Sequence, residues 1–290
     1  MKLPGELQRA IEARLSCQIL SQKPLRGGSI HQALQLQTTE GPLFVKWNQR
    51  SQSANFSAEA QGLERLRAAH TALRFPQVLA QVEGSYAAAL VLEYVAPGSS
   101  AEANSFWPTL GQGLADLHRH SAEHFGLDHP NYIGSLPQSN RPHARWSDFF
   151  VAERLEPMQA LARNKGLLNS DDIRRFAQLQ HALDQLIPAE APALLHGDLW
   201  SGNLMTGPQG QPWLIDPAIY YGHREADLAF TRLFGGFAEQ FYRAYQQAWP
   251  LQDGWQQRVR LFNLYPLLVH LNLFGASYHS QIQDTLRRFT

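Results

Sequence analysis

The sequence predicts an α+β fold of two lobes: a small N-terminal lobe with a five-stranded antiparallel sheet plus a helix, and a larger, mostly helical C-terminal lobe. Short β-type segments separated by glycine and proline turns fill the chain as far as Val95, and amphipathic helical patterns dominate from Phe106 onward. A length of 290 residues suffices for two such lobes and a large core. We assign the lobes to residues 1–95 and 96–290, joined by a hinge near residues 93–98.

The composition excludes several classes of protein. Hydrophobic residues make up 44% of the chain and charged residues 17%, and the net charge of zero gives no general attraction to nucleic acid or anionic lipid. The single cysteine, Cys17, excludes an internal disulfide framework. The N-terminal residues lack the apolar core of a signal peptide, and the most apolar run, residues 264–276, is too short to cross a bilayer. We expect a cytoplasmic protein without nucleic-acid or membrane partners.

The first elements are a helix and a glycine-rich hairpin. Apolar residues at helical spacing predict the helix: Leu3, Leu7, Ile11 and Leu15. Gly27, Gly28 and Ser29 then form a tight turn that leads into strands at residues 33–37 and 43–47. Backbone N–H groups of such a turn can approach phosphate oxygens closely. For two glycines alone, an ordinary β-hairpin is the simpler interpretation.

Lys46 makes a phosphate-binding role for this region more specific. It lies inside an apolar strand, where a lysine is costly to bury unless it is paired. The following helix carries Glu59 at the edge of its apolar face, thirteen residues after Lys46. A Lys–Glu pair from strand to helix would direct the lysine amine onto nucleotide phosphates. The alternative is a surface lysine and a solvated glutamate.

The hinge is the candidate adenine-binding segment. Strands at residues 78–82 and 87–95 end in Glu93, Tyr94 and Val95, and the breakers Pro97 and Gly98 follow. We expect the carbonyl of Glu93 and the N–H of Val95 to pair with an adenine edge. Position, not side-chain type, supports this prediction.

Residues 194–217 contain the groups that phosphoryl transfer requires. Asp198 can accept a proton from a substrate hydroxyl, and Asn203 and Asp216 can offer oxygen to Mg²⁺, a cation that prefers such ligands. The spacing Asp-x4-Asn, followed by a strand that ends in Asp, is that of a kinase catalytic loop and its metal-binding aspartate. Alone, this stretch is also compatible with a polar loop and an Asp-Pro turn.

Two further residues have two interpretations each. Trp200 adjoins Asp198 and either stacks on the substrate or packs beneath the loop. Asp227 begins an apolar helix and either caps that helix or holds the backbone of the catalytic loop.

Taken together, these motifs resemble the fructosamine-3-kinase, or ketosamine-3-kinase, family in the aminoglycoside-phosphotransferase-like branch of the protein-kinase fold. The resemblance covers nearly the whole chain and is most specific at residues 196–203, where Trp-Ser-Gly distinguishes this family from aminoglycoside and choline kinases. Further matches lie at residues 131–135, 146–150, 216–218, 221–229 and 271–275.

The resemblance implies a bilobal protein-kinase-like fold and an ATP- and Mg²⁺-dependent enzyme. Such an enzyme phosphorylates the 3-hydroxyl of ketosamines, either small molecules or glycated lysines on proteins, after which the unstable phosphate falls away and frees the amine. Bacterial-type members are expected to prefer ribulosamines and erythrulosamines to fructosamines. The implied roles divide among three groups: the base Asp198, the magnesium ligands Asn203 and Asp216, and the nucleotide-binding residues Gly27, Gly28, Ser29, Lys46, Glu59, Glu93, Tyr94 and Val95.

The sequence departs from related patterns in two places. Many family members carry a cysteine in the glycine loop that permits redox-controlled dimers, whereas this chain has Ser29 there and Cys17 in the first helix. We therefore expect a monomer, without a disulfide-linked dimer. Protein kinases have Asp-Phe-Gly where this chain has Asp-Pro-Ala, so no activation-segment switch is expected.

Two rival functions remain open at the level of sequence. One is a kinase for another small hydroxyl compound, such as an aminoglycoside, choline or homoserine. The other is a catalytically inactive kinase fold that acts as a binding module. That second rival predicts loss of the base, the metal ligands or the lysine, and Asp198, Asn203, Asp216 and Lys46 are all present.

Overall fold

The computed structural model describes residues 2–25, 31–98 and 105–290. The chain divides into two compact units: the first comprises residues 1–110 and 204–217, and the second comprises residues 111–203 and 218–290. The lobe boundaries predicted from the sequence, 1–95 and 96–290, stay a prediction.

The first unit is built on a five-stranded antiparallel sheet with the order β1-β2-β3-β5-β4. Its strands are β1 (Ile19–Pro24), β2 (Gln32–Thr38), β3 (Gly41–Gln49), β4 (Val78–Glu83) and β5 (Ala87–Glu93). The adjacent strands β3 and β5 occupy interior positions, and six of the seven β5 residues are buried. An apolar run without alternation is typical of a strand that is covered on both faces. The predicted five-stranded sheet is confirmed.

Two helices cover this sheet. Helix α1 (Gly5–Leu15) packs Leu7 and Ile11 into a core that includes Val45 of β3 and Val91 of β5. Because neighbouring strand residues point to opposite faces, Lys46 lies on the other face from Val45, and there it meets helix α2 (Ser53–Ala68). One sequence prediction needs a small correction. Cys17 is buried two residues beyond α1 and not within it, because Ser16 takes a left-handed conformation that ends the helix.

A short hairpin late in the chain belongs to the first unit. Strands β9 (Leu204–Thr206) and β10 (Pro212–Leu214) pair with each other. The hairpin is fixed to the rest of the unit by three backbone bonds: Arg74 N–H to the Pro212 carbonyl, Leu214 N–H to the Arg74 carbonyl, and Gly98 N–H to the Thr206 carbonyl. Asp216 follows this hairpin, so it is carried by the same unit as Lys46.

Helices make up most of the second unit. Helix α3 (Phe106–His118) begins in the first unit and continues into the second. The later helices are α4 (Trp146–Phe149), α5 (Glu156–Asn164), α6 (Ser170–Leu186), α7 (Glu225–Leu233), α8 (Glu239–Ala248), α9 (Trp255–Phe262), α10 (Leu264–Phe274) and α11 (His279–Phe289). A π-helical stretch, Phe150–Leu155, connects α4 to α5. Two short hairpins complete the unit: β6 (Asn131–Ile133) with β7 (Leu136–Gln138), and β8 (Ala193–Leu195) with β11 (Tyr220–Gly222). Within the described ranges, no helix has the length and apolar character needed to span a membrane.

We predict that Leu7→Ala lowers the free energy of unfolding by about 2–5 kcal/mol, because it leaves a cavity in the core beneath the sheet. Leu7 is fully buried there. Chemical denaturation measures the change. Leu20→Ala is the matched control, since Leu20 lies in the same unit with 63% of its surface exposed, and it should shift the midpoint little. Equal effects of the two substitutions would contradict the assigned core.

Candidate active site

Lys46 is buried on β3 and carries two acidic partners. Its side chain is only 8% exposed, and β2 and β5 flank its strand. The ammonium donates to Glu59 Oε1 at 2.8 Å and also to Asp216 Oδ1. The strand-to-helix pair expected from the sequence is therefore present. The third member of the group, Asp216, lies 170 residues further along the chain. The sequence indicated Asp216 as a magnesium ligand but not as a partner of Lys46.

The charges of this group determine its protonation. Burial would lower the pKa of Lys46, but the carboxylates of Asp216 and Glu59 outweigh burial and raise the pKa above its ordinary value. Lys46 therefore remains a cation at neutral pH. A permanent, desolvated cation held in one orientation is a suitable partner for a phosphate oxygen.

Asp216 has an unusual backbone conformation. Its φ is 55°, in the left-handed region that few non-glycine residues occupy. Such conformations cost about 1–3 kcal/mol and concentrate at functional sites. The side chain is half exposed while it contacts Lys46. Asp216 is thus held in a strained, accessible position two residues after the end of β10.

His31 is a neighbour of this group that the sequence reasoning missed. Its Nδ1 lies 3.1 Å from Asn48 Nδ2, and its ring contacts Phe56 at a centroid distance of 4.8 Å. Burial and the nearby Lys46 ammonium lower the pKa of His31 to about 4. The ring is therefore neutral at physiological pH. No sequence signal indicated it, because a histidine before a strand has no distinctive spacing.

The other predicted nucleotide-binding residues are those of the glycine turn and those at and after the end of β5. Gly27, Gly28 and Ser29 lie outside the described residues. Glu93 ends β5, and its backbone N–H donates to the Gln77 carbonyl at 2.9 Å. Tyr94 and Val95 follow in an irregular segment. Their proposed role in adenine binding stays a prediction.

In the second unit, the predicted catalytic loop follows strand β8. Gly197 has a φ of 81°, and a Cβ there would lie 2.0 Å from the Ala218 carbonyl oxygen. Only glycine fits such a position. In return, the Ala218 N–H donates to the His196 carbonyl at 2.9 Å. The loop therefore lies directly against the backbone that enters β11.

Asp198 and Asn203 are joined within this loop. The Asn203 side-chain nitrogen donates to Asp198 Oδ2 at 2.7 Å and to the Asp198 backbone carbonyl at 2.9 Å. Asn203 is buried, whereas Asp198 is partly accessible. The Asn203 amide therefore fixes the orientation of the Asp198 carboxylate.

Trp200 folds back over its own loop. A Cβ on Gly202 would lie 2.2 Å from Trp200 Cη2, so the indole occupies the space that this glycine leaves free. The ring also meets Phe234 edge to face, with centroids 5.8 Å apart. Trp200 is half-buried. Packing on the loop and contact with a substrate are thus compatible functions of the same side chain.

Asp227 holds the backbone of the loop. Its carboxylate oxygens accept the N–H groups of His196 at 2.7 Å and Gly197 at 2.9 Å, and no side-chain bond caps α7. Two buried residues that the sequence reasoning missed support this carboxylate. His118 Nε2 lies 3.3 Å from Asp227 Oδ2, and His118 Nδ1 lies 2.8 Å from the Tyr245 hydroxyl.

The hydrogen bonds among Asp227, His118 and Tyr245 can be described by their donors and acceptors. A carboxylate only accepts, so His118 Nε2 is the donor to Asp227, and the Tyr245 hydroxyl bonds to the other ring nitrogen, Nδ1. Burial raises the pKa of Tyr245, which keeps its phenol protonated. Because His118 and Tyr245 are 127 residues apart, sequence spacing could not have indicated them.

The proposed magnesium ligands have suitable atoms. In the described part of the chain, no group of three or more His, Cys, Asp or Glu side chains has the arrangement of a metal site. Mg²⁺ in phosphotransferases is usually held by one or two protein side chains together with phosphate oxygens and water. The Asp216 carboxylate is accessible, and the Asn203 nitrogen is bonded to Asp198, which leaves its amide oxygen as the acceptor. Both residues therefore fit a magnesium role.

Comparison with known proteins decides the family. The family model described as fructosamine kinase matches residues 6–290. The chain belongs to the fructosamine kinase family. It is therefore a phosphotransferase that acts on a hydroxyl group, as the sequence resemblance implies.

Individual relatives agree with this assignment. A Synechocystis protein named "Probable ketoamine kinase" is 40% identical over 271 residues, covering 93% of this chain and 90% of the relative. The crystal structure of a "putative fructosamine-3-kinase" from Thermobifida fusca matches with a TM-score of 0.85 and 32% identity over 98% of both chains. Aminoglycoside phosphotransferase APH(4)-Ia, in a ternary complex with ADP and hygromycin B, matches with a TM-score of 0.66 and 16% identity, covering 97% of this chain and 98% of its own. At that identity the likeness concerns the fold alone, and the predicted protein-kinase-like fold class is confirmed.

We predict that Asp227→Asn lowers kcat by about 10-fold or more and the free energy of unfolding by about 1–3 kcal/mol. An amide has one oxygen in place of two, so it cannot accept both loop N–H groups and the His118 proton. Phosphotransfer assays and chemical denaturation measure the two effects. Asp253→Asn, at an exposed position in the same unit, is the control. An Asp227→Asn enzyme with unchanged kcat would show that this anchor is dispensable for catalysis.

Proposed function

We propose that this chain transfers the γ-phosphoryl group of ATP to the 3-hydroxyl of a ketosamine, and that the ribulosamine, erythrulosamine and fructosamine adducts of amines are its substrate class. Loss of the unstable 3-phosphate would then free the amine, which makes the reaction a step of deglycation. The observation that carries the proposal is the Asp198–Asn203 pair, because it holds a carboxylate in one orientation at an accessible loop position. Membership of the fructosamine kinase family supports a ketosamine as the acceptor.

The proposed mechanism is direct transfer in line with the leaving group. Asp198 accepts the proton of the 3-hydroxyl as that oxygen bonds to the γ-phosphorus, and the bond from phosphorus to the bridging oxygen of ADP breaks. Lys46 holds a phosphate oxygen through its permanent positive charge. Asn203 and Asp216 would hold Mg²⁺, which supplies neutralisation of phosphate charge when bound.

The acceptor is tested by incubating the protein with ATP, Mg²⁺ and a panel of hydroxyl compounds. The panel contains ribulose-lysine, erythrulose-lysine, fructose-lysine, an aminoglycoside, choline and homoserine, and mass spectrometry locates the phosphate. We expect phosphate on the 3-hydroxyl of the ketosamines, because Asp198 and the family assignment point to a sugar hydroxyl. Asp198→Asn preserves the size of the side chain and removes the base, so it should abolish turnover.

Other outcomes of this panel would contradict the proposal. Preferential phosphorylation of the aminoglycoside, choline or homoserine would replace the ketosamine as the substrate. Absence of turnover with every acceptor, together with absence of magnesium-dependent nucleotide binding, would favour the inactive binding module.

We predict that Lys46→Met raises the KM for ATP by about 10- to 100-fold, the effect of losing a charge-assisted hydrogen bond. Initial-rate kinetics at varied ATP concentration measure it. Lys23→Met is the matched control, since Lys23 lies exposed on β1 of the same unit. Because Glu59 loses its partner, the Lys46 variant should also unfold at a lower temperature, so the assay must be run well below that transition. An unchanged KM for ATP would remove Lys46 from the phosphate site.

A further inference from the structure

His31 lies beside Lys46 on the sheet of the first unit, and the mechanism above does not use it. Ala33 pairs with Lys46 in the β2–β3 register, and continuing that register by two residues places His31 opposite Asn48. Because alternate residues of a strand share a face, His31 is on the same face as Lys46, the face that α2 covers. Diagonal neighbours across such a strand pair are about 7–8 Å apart.

The orientation of the His31 ring is fixed from β3 and from α2. Asn48 Oδ1 accepts the backbone N–H of Gln49 at 2.8 Å, so the other end of this amide, Nδ2, faces the ring. Asn48 Nδ2 lies 3.1 Å from His31 Nδ1. On the α2 side, the Phe56 ring lies at a centroid distance of 4.8 Å. Rotation of the imidazole would break both contacts.

These contacts determine which ring nitrogen carries the proton. The Asn48 amide nitrogen only donates, so His31 Nδ1 is the acceptor. Burial and the Lys46 ammonium lower the pKa of His31 to about 4, so the ring is neutral. A neutral imidazole that accepts at Nδ1 carries its one proton on Nε2. Within the described residues, no acceptor lies within hydrogen-bond distance of Nε2.

The surroundings favour an anion as the missing acceptor. The ring is only partly buried, and the charges of Lys46 and Asp216 are close enough to act on it. A neutral N–H donor can stand beside the Lys46 ammonium without the repulsion that a second cation would add. A phosphate group presents oxygens in several directions, so it can accept from both donors, and such hydrogen bonds to an anion are strong.

A metal ion does not fit this position. Metal ions bind a histidine nitrogen through its lone pair, and Nε2 carries the proton while Nδ1 is engaged by Asn48. A purely structural ring is the other alternative. It accounts for the contacts of Nδ1 and of the ring face, but it leaves the Nε2 proton without an acceptor.

We propose that His31 Nε2 donates to a phosphate oxygen of the bound nucleotide, beside the phosphate oxygen that Lys46 holds. This inference rests on the proposed use of ATP and deepens it by adding a neutral side-chain donor to the phosphate site. Asn48 and Phe56 act through the ring and are positioning residues. The contribution of His31 should therefore appear only with ligands that carry phosphate.

A comparison of ligands with and without phosphate tests the assignment by isothermal titration calorimetry on the full chain. We expect His31→Phe, which preserves the contact with Phe56 and removes the Nε2 donor, to raise the dissociation constant of Mg²⁺-ATP by about 10- to 100-fold. The dissociation constant of adenosine should change by less than about 3-fold, because adenosine has no phosphate.

Two further variants separate the donor from the ring. His31→Gln retains an N–H donor and should bind Mg²⁺-ATP more tightly than His31→Phe. His70→Phe is the matched control, since His70 is exposed in the same unit, and it should leave both affinities unchanged. An equal weakening of ATP and adenosine by His31→Phe would assign the ring a purely structural role and overturn the proposal, as would an unchanged affinity for ATP.

A probe without adenosine makes the result independent of turnover. Sodium tripolyphosphate is titrated, with Mg²⁺, into the full chain carrying isotope-labelled histidines, and the Nε2 resonance of His31, assigned with His31→Phe, is followed by NMR. We expect a saturable shift that sodium chloride at equal ionic strength does not produce. Absence of this shift would overturn the assignment even if ATP is turned over. If the shift is present but no ketosamine is phosphorylated, the phosphate contact stands and the proposed function fails.

Discussion

The arrangement of the catalytic loop depends on one buried carboxylate. Asp227 accepts two consecutive backbone N–H groups and is itself bonded by His118, so its negative charge is compensated without solvent. The Tyr245 hydroxyl bonds to the other ring nitrogen of His118. Arg224 forms a two-pronged ion pair with Glu190 and stacks on Trp249. A buried ion that lost these partners would cost several kcal/mol. The loop therefore keeps one conformation because the alternatives leave Asp227 unpaired.

The first unit also buries a charged group, and there the buried charge is a cation. Lys46 is a single buried cation with two carboxylate partners, so the group carries an excess of negative charge that Asp216 exposes to solvent. Because the cation is shared, neither carboxylate is fully neutralised by it. Asp216 is also held at a φ of 55°, a conformation that its surroundings must stabilise. An accessible, strained and incompletely neutralised carboxylate is well suited to accept a divalent cation.

The sequence predicted the elements and the local pairings better than the long-range contacts. Lys46 and Glu59 could be paired because an apolar strand and an amphipathic helix fix the direction of each side chain. Asp198 and Asn203 could be paired because they share one loop. By contrast, His118 and Tyr245 meet only after α3 and α8 have packed. Helical periodicity likewise does not show that His270 lies among exposed rings. Residue spacing in the sequence predicts contacts within one helix, strand or loop. Contacts between distant elements depend on how those elements pack.

The motif at residues 131–135 begins a hairpin that takes no part in the proposed reaction but supports the catalytic loop. Asn131 donates to the Ile219 carbonyl at 2.7 Å, and Gln138 donates to the Ala218 carbonyl at 3.2 Å. That second carbonyl is the one against which Gly197 packs. The β6–β7 hairpin therefore supports, through one layer of backbone, the residue that precedes Asp198. A substitution of Asn131 or Gln138 would leave a carbonyl unpaired directly beneath the catalytic loop, at a cost of about 1–3 kcal/mol. The same loss would loosen the backbone against which Gly197 packs.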